Sequence, residues 1–373
     1  MIAFLWLTRR VHCKFLRGRL FPGSVLNIVT LHRDTERHAY FAAATARPIV
    51  FEKSIGCWFV TNPRDAQTLL RSGDLHVAHY VPIYESVADR SGYAFANLRF
   101  AFSHIPLSSD GAEHSASRRR LAEFLIARRA KVAPSIPQMV ARRLAPLERS
   151  GEVDLMSDIL MPLVSDLIGA VTETEITDEL AVRRATIVFD RLIGLRKRIE
   201  LDDEVGRIRA MIRRSHPDAS EEDEGLRLAL FVLGHDTLTG TLGETIFQVL
   251  SANSGLDLRE IEFPSVPSET AVPFVERTVA RSFEYAGIAF EQGQRLRIYL
   301  QPLVYSDNPV DRARLFGIGV HACLGRQLAL DVWKHLTARV SQIGSRLEIV
   351  SHTIRTEDFV FTVPQNVIVK VSV

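Results

Sequence analysis

A mainly α-helical body with small peripheral β-sheets is predicted by three observations along the chain. Apolar residues recur at helical spacing almost without interruption from about residue 114 to 250. Strand-like runs are confined to one early segment and to the last part of the chain. No internal repeat or low-complexity stretch breaks this pattern.

The elements follow in order. Met1 to Leu7 is apolar but stops at Arg9 and Arg10. Such a run is too short to span a bilayer, which needs about 20 residues. Its basic residues also follow the apolar stretch, whereas a secretory signal puts them first. Residues 1–40 are therefore expected to be an extension packed on or flanking one domain over residues 40–373. Cys57 to Thr61 reads as a strand after Gly56. Asn62 then caps a helix that has Pro63 at its first position and runs through Leu70. Breaks in the helical region fall at Gly151, around Thr172 to Thr177, and at the polar stretch His216 to Asp223, which leads into a long helix from Gly225 to Leu250. Strands are expected at 296–300, 347–350 and 367–371.

Composition bounds the function. The chain has 373 residues, 46% hydrophobic and 24% charged, which is enough apolar material for a large core. Lys plus Arg number 46 against 44 for Asp plus Glu, a balance of +2, so no strong field draws the chain to nucleic acid. Arg118 to Arg120 and the Arg142–Arg143 pair read as solvated helix faces. Cys13, Cys57 and Cys323 show no framework spacing, which fits a reducing cytoplasm.

The most informative run is Phe316-Gly317-Ile318-Gly319-Val320-His321-Ala322-Cys323-Leu324-Gly325, followed by an amphipathic stretch from Gln327 to Trp333. Glycines permit a sharp turn and set Cys323 at a helix mouth. Unpaired N–H groups there favour the thiolate, the metal-binding form. A single thiolate cannot make a structural zinc site but can serve as the axial ligand of a heme iron. A dinucleotide turn at Gly317-Ile318-Gly319-Val320-His321-Ala322 is excluded by context, because the preceding residues are polar and contain Pro309 where a buried strand is required.

Phe316, Gly317, Gly319, His321, Cys323 and Gly325 fill every fixed position of the heme-ligand signature of the cytochrome P-450 superfamily, and the chain resembles a shortened soluble bacterial member. The resemblance implies a trimmed form of that fold, heme b as cofactor, and Cys323 as the iron ligand. Leu233-Gly234-His235-Asp236-Thr237 resembles the family's distal helix. It implies that Gly234 lets a ligand approach the backbone, Thr237 bonds iron-bound oxygen, and Asp236 feeds protons. His114 and Arg118, at i and i+4 after the acidic loop from Ser109 to Glu113, match the pair that holds the heme propionates. His321 is expected to be a third donor.

The chain also departs from the family. The E-x-x-R helix is expected before the late strands, with Arg281 as its arginine, but Thr278 stands at the glutamate position. Arg281 would then need another acceptor, such as Asp331, Asp311 or a carbonyl. The strand normally following that helix, which brings a further propionate-binding arginine, reads as deleted. The loop before the cysteine is reduced to Tyr305 to Leu315, with Arg312 or Arg314 as partial substitutes, and the segment from Glu152 to Gly234 is short. The expected activity is monooxygenase-type oxidation of a small organic molecule with O2, in the cytoplasm, using electrons from a separate ferredoxin-type partner. No transmembrane segment or nucleic-acid partner is expected. Two alternatives stay open: a heme-thiolate enzyme outside the reductase cycle (peroxygenase, isomerase or dehydratase), and a non-catalytic binding protein.

Overall fold

The periodic region folds as a stack of helices, because its apolar stripes can be buried only against one another. A computed structural model describes residues 41, 49–53, 55–191, 193–304, 313–356 and 360–373. The expected extension over residues 1–40 lies outside them. The principal helices are α1 (Pro63–Leu69), α2 (Tyr80–Ser91), α3 (Ala96–His104), α4 (Gly111–Val132), α5 (Ile136–Leu144), α6 (Met161–Thr172), α7 (Leu195–Ser215), α8 (Glu221–Ala252) and α9 (Arg326–Val340). The strands are β1 (Val50–Glu52), β2 (Cys57–Val60), β3 (Leu75–His76), β4 (Gly151–Asp154), β5 (Phe274–Val279), β6 (Phe283–Tyr285), β7 (Ile288–Phe290), β8 (Arg295–Tyr299), β9 (Arg346–Ile354) and β10 (Pro364–Ser372). They form a five-stranded sheet in the order β1-β2-β8-β5-β3, a three-stranded sheet β4-β10-β9, and the hairpin β6-β7. The mainly helical class and the predicted strands are all present.

Local chemistry sets the helix starts. The Asn62 side chain accepts from the N–H groups of Arg64 and Asp65, and Pro63 opens α1 as predicted. Ser220 caps α8 by accepting from the Asp223 N–H, and four acidic residues, Glu221 to Glu224, fill the first turn, where the helix dipole favours them. Helix α8 then crosses the core with Leu228, Ala229, Phe231, Val232 and Leu242 fully buried. A Cβ on Gly240 would lie 2.8 Å from Ala271 Cβ, so the helix passes the connecting segment at a distance that only glycine allows. Leu155–Thr172 is long and apolar enough to cross a membrane by length and composition, but 67% of it is buried within the fold, as in a core helix.

Two expectations about the late region are corrected. The strand read as deleted is present as β5, and the element that is absent is the helix before it. Between α8 and β5 the regular structure is a single 3-10 turn, Leu258–Glu260. Pro264, Pro267 and Pro273 fall in this connection and are incompatible with a continuous helix. The β-branched residues Val275, Thr278 and Val279 favour strand. Arg281 consequently sits on the surface just past β5 and pairs with Asp74 at 2.8 Å, its side chain 76% exposed. It needs none of the acceptors considered for it, and Asp331 instead pairs with Arg129.

A different buried ion pair secures the sheet. Glu276 on β5 lies opposite Arg297 on β8 and accepts from it at 2.9 Å, and Arg295 adds a contact at 3.2 Å. The Arg297 guanidinium also stands 4.0 Å from the Phe274 ring centroid. The connection itself is fastened by α9. The buried Trp333 indole N–H donates to the Pro264 carbonyl at 2.7 Å, and its ring meets Phe263 edge-on.

Replacing Trp333 with Phe removes that donor and leaves the Pro264 carbonyl without it, which costs about 1–3 kcal/mol. Trp333→Ala adds a cavity and should cost about 3–5 kcal/mol. Urea denaturation reads both losses, and an unchanged midpoint in Trp333→Ala would show that the connection is held elsewhere.

Candidate active site

The cysteine loop is shaped by two left-handed glycines. Gly317 has φ +81° and Gly319 φ +77°, and a Cβ on Gly319 would lie 2.7 Å from the Leu70 carbonyl oxygen. Any side chain there meets both backbone strain and a clash with the end of α1. The loop closes on itself when the Cys323 N–H donates to the Phe316 carbonyl at 2.7 Å. Gly325 occupies the N-cap of α9, so Cys323 lies at the mouth of a helix as its spacing predicts.

Cys323 is solvent-accessible. Protein nevertheless crowds it: burial pushes the thiol pKa up, opposed by hydrogen bonds from the Gly325 and Arg326 N–H groups and by the charge of Arg118. An accessible sulfur among dense protein atoms lies on the floor of a recess. The expected depression of its pKa is not what the free chain shows. Burial outweighs the helix mouth, and a bound cation is needed to stabilise the thiolate.

Cationic donors gather beside this sulfur. Arg118 donates to the Ala322 carbonyl at 2.5 Å. His114 is 3% exposed, and its Nε2 has no hydrogen-bond partner. Its ring lies 4.0 Å from that of His321. Burial, together with the nearby charges of His321 and Arg118, pushes the His114 pKa down to about 4. Arg277 on β5 joins them, 7% exposed, donating to the Glu276 carbonyl. Burial pulls its pKa down to about 10, and among the described residues no carboxylate forms an ion pair with it.

One acid serves this group. Asp110, the N-cap of α4, accepts from His321 at 3.2 Å, from His79 at 3.1 Å and from the Val77 N–H at 3.0 Å. Burial raises its pKa, but the hydrogen bonds from His321 and His79 outweigh that and hold its carboxyl well below the usual range. His321 thus places its Nε2 on Asp110, which leaves Nδ1 for the role of third propionate donor expected of it. Sequence reading missed Arg277 because Arg281 was taken as the reference arginine. The adjacent Glu276–Arg277 pair and the β-branched run around it were the available signal.

Helix α8 presents a second set of residues. Leu233, Gly234, Thr237 and Leu238 are partly open, whereas His235, Asp236 and Thr239 are buried. Residues three and four apart share a helix face, so Gly234 and Thr237, at i and i+3, lie on one stripe, and Asp236, two residues from Gly234, lies off it. The Thr237 hydroxyl donates to the Leu233 carbonyl at 2.5 Å, leaving its lone pairs as acceptors. A Cβ on Gly234 would come within 3.0 Å of Ile168. Asp236 accepts from Arg355 at 2.9 Å and from Thr186 at 2.7 Å, with His235 3.4 Å away. Burial would raise its pKa, but the Arg355 charge and the hydrogen bonds from His235 and Arg355 keep it lowered and ionised. Arg355 and Thr186 had no motif to mark them.

The residues fit a heme. Its two carboxylates match Arg277 and the orphaned His114 Nε2 beside Arg118, and its iron matches an accessible cysteine sulfur. Arg314, considered as a substitute in the shortened loop, donates to the Gln67 side chain at 2.6 Å, and Arg312 lies outside the described residues.

No family model matches the chain. It is similar over 347 residues, at 27% identity, to cytochrome P450-SOY of Streptomyces griseus, covering 80% of this chain and 82% of that one. Nocardicin C N-oxygenase of Nocardia uniformis is 24% identical over 323 residues, covering 73% and 78%. Among solved structures, CalO2 superposes with a TM-score of 0.75 at 15% identity over 92% of this chain and 97% of its own. P450BioI in complex with a ligated acyl carrier protein gives 0.73 at 16% identity over 93% and 100%. Sequence relatives and structural neighbours are named as one kind of protein: the chain is similar in sequence to cytochromes P450 and shares the fold of their solved structures.

Proposed function

We propose that this chain is a monooxygenase-type oxidoreductase that inserts one oxygen atom of O2 into a small organic molecule, with Cys323 as its iron ligand. The observation that carries this reading is the accessible Cys323 sulfur beside two buried groups, the His114 Nε2 without a hydrogen-bond partner and Arg277, which forms no ion pair among the described residues. When bound, heme supplies the redox chemistry. One oxygen atom enters the substrate and the other leaves as water, consuming two electrons and two protons. His114, Arg118 and Arg277 hold the propionates, and the Gly325 and Arg326 N–H groups stabilise the thiolate. Thr237 offers an acceptor oxygen on the open stripe of α8 beside Gly234. Asp236 supplies an ionised carboxylate behind that stripe, and Arg355 must let go before it can carry a proton.

Electrons come in this reading from a ferredoxin-type protein in the cytoplasm. The exposed Val320 and Arg326, flanking Cys323, support a docking face for an acidic donor. A peroxide-driven reaction is a second reading, favoured by the closed Asp236–Arg355 pair. Turnover with a ferredoxin system compared with peroxide divides them.

Reduction under carbon monoxide should give a thiolate-type Soret band that Cys323→Ser abolishes. A protein that takes up no heme when precursor is supplied would overturn the proposal. Arg277→Gln should weaken heme retention by about 1–3 kcal/mol, roughly 5- to 150-fold, in transfer to a heme acceptor. Heme affinity should also rise with pH. The Cys323 thiol pKa is raised in the free chain, so binding must release its proton, and a higher pH favours that release. His114, with a pKa near 4, is already neutral across this window in the free chain. Titration by absorbance from pH 6 to 9 reads the slope, which Cys323→Ser should flatten.

A further inference from the structure

From His76, His79 and Asp110 we infer a second metal site, one that takes a zinc-class divalent ion through two imidazoles and a carboxylate on the outer side of α4. One donor atom from each of the three residues lies within 4.8 Å of the others. His79 Nε2 and an Asp110 oxygen are 3.1 Å apart. Two ligands at ordinary zinc distances in a tetrahedral shell are about 3.3 Å apart, so this pair already has the required spacing. The third ligand closes by rotation of an exposed histidine.

The backbone fixes all three positions. His76 ends β3, paired with Thr278 of β5. His79 is the N-cap residue of α2 and Asp110 that of α4. The rings of His76 and His79 lie stacked, 6.4 Å between centroids. The Asp110 oxygens divide their work. One meets His79 and the Val77 N–H, and the other accepts from His321. A metal-bound carboxylate whose second oxygen is held by a hydrogen bond is the supported arrangement found at metal centres. Two nitrogens and one oxygen leave a fourth position for water, and this donor set suits zinc. The site adjoins the cysteine loop through His321, which holds the other Asp110 oxygen, but none of its three ligands is among the residues assigned to the heme.

The test uses tag-free protein as purified, stripped with a chelator that leaves heme in place, then dialysed against zinc with metal quantified per chain. One zinc per chain is expected, with affinity reduced at least tenfold in His76→Ala and in His79→Ala and unchanged in His335→Ala on α9. Because His76 is exposed, its substitution should leave the circular dichroism spectrum unaltered, which separates loss of ligand from loss of fold. Failure of the wild-type chain to retain zinc, or full retention by the His76→Ala/His79→Ala double variant, would overturn the site.

Discussion

The carboxylate of Asp110 is the constraint on which the cysteine side of the molecule depends. It joins three stretches of chain at one point: the turn after β3, the start of α4, and the loop two residues before Cys323. Around it stand two arginines and two histidines in a space that water only partly reaches. A group of that charge holds together only if an anion is shared among its members. Arg118 and Arg277 carry fixed charge, and one carboxylate already engaged by His79 and His321 forms an ion pair with neither of them. The two guanidinium groups therefore leave this side of the molecule suited to an anionic ligand.

Helix α8 works on the opposite principle. Asp236 is sealed by Arg355, Thr186 and His235, so its charge is balanced within the protein. The thiolate side is left electrostatically incomplete while the helix side is complete. That asymmetry is what a cofactor-dependent oxidase requires: affinity concentrated at one edge and a quiet surface where the reaction takes place.

Much of this was legible in the sequence. Spacing alone identified the cysteine loop, the i and i+4 relation of His114 to Arg118, the cap at Asn62 and the long helix, because each is a local pattern with a local physical cause. Non-local relations were not legible. Nothing in the sequence says that β5 will pair with β8, so Arg277 could not be distinguished from its neighbours and Arg281 drew attention instead. The partners of Asp236, 50 and 119 residues away, obey no periodicity. The connection from 253 to 273 was misjudged for a related reason. Its prolines forbid a helix, whereas the family resemblance implies one there.

The Asp236–Arg355 contact carries a consequence for biosynthesis. Arg355 lies just past β9, on the hairpin that β10 completes, while Asp236 lies in the middle of α8. Until that hairpin docks, the central helix carries an uncompensated negative charge that resists being enclosed. Closing the core around α8 with Asp236 ionised therefore waits on the last hairpin, so the end of the chain sets the charge state at its centre.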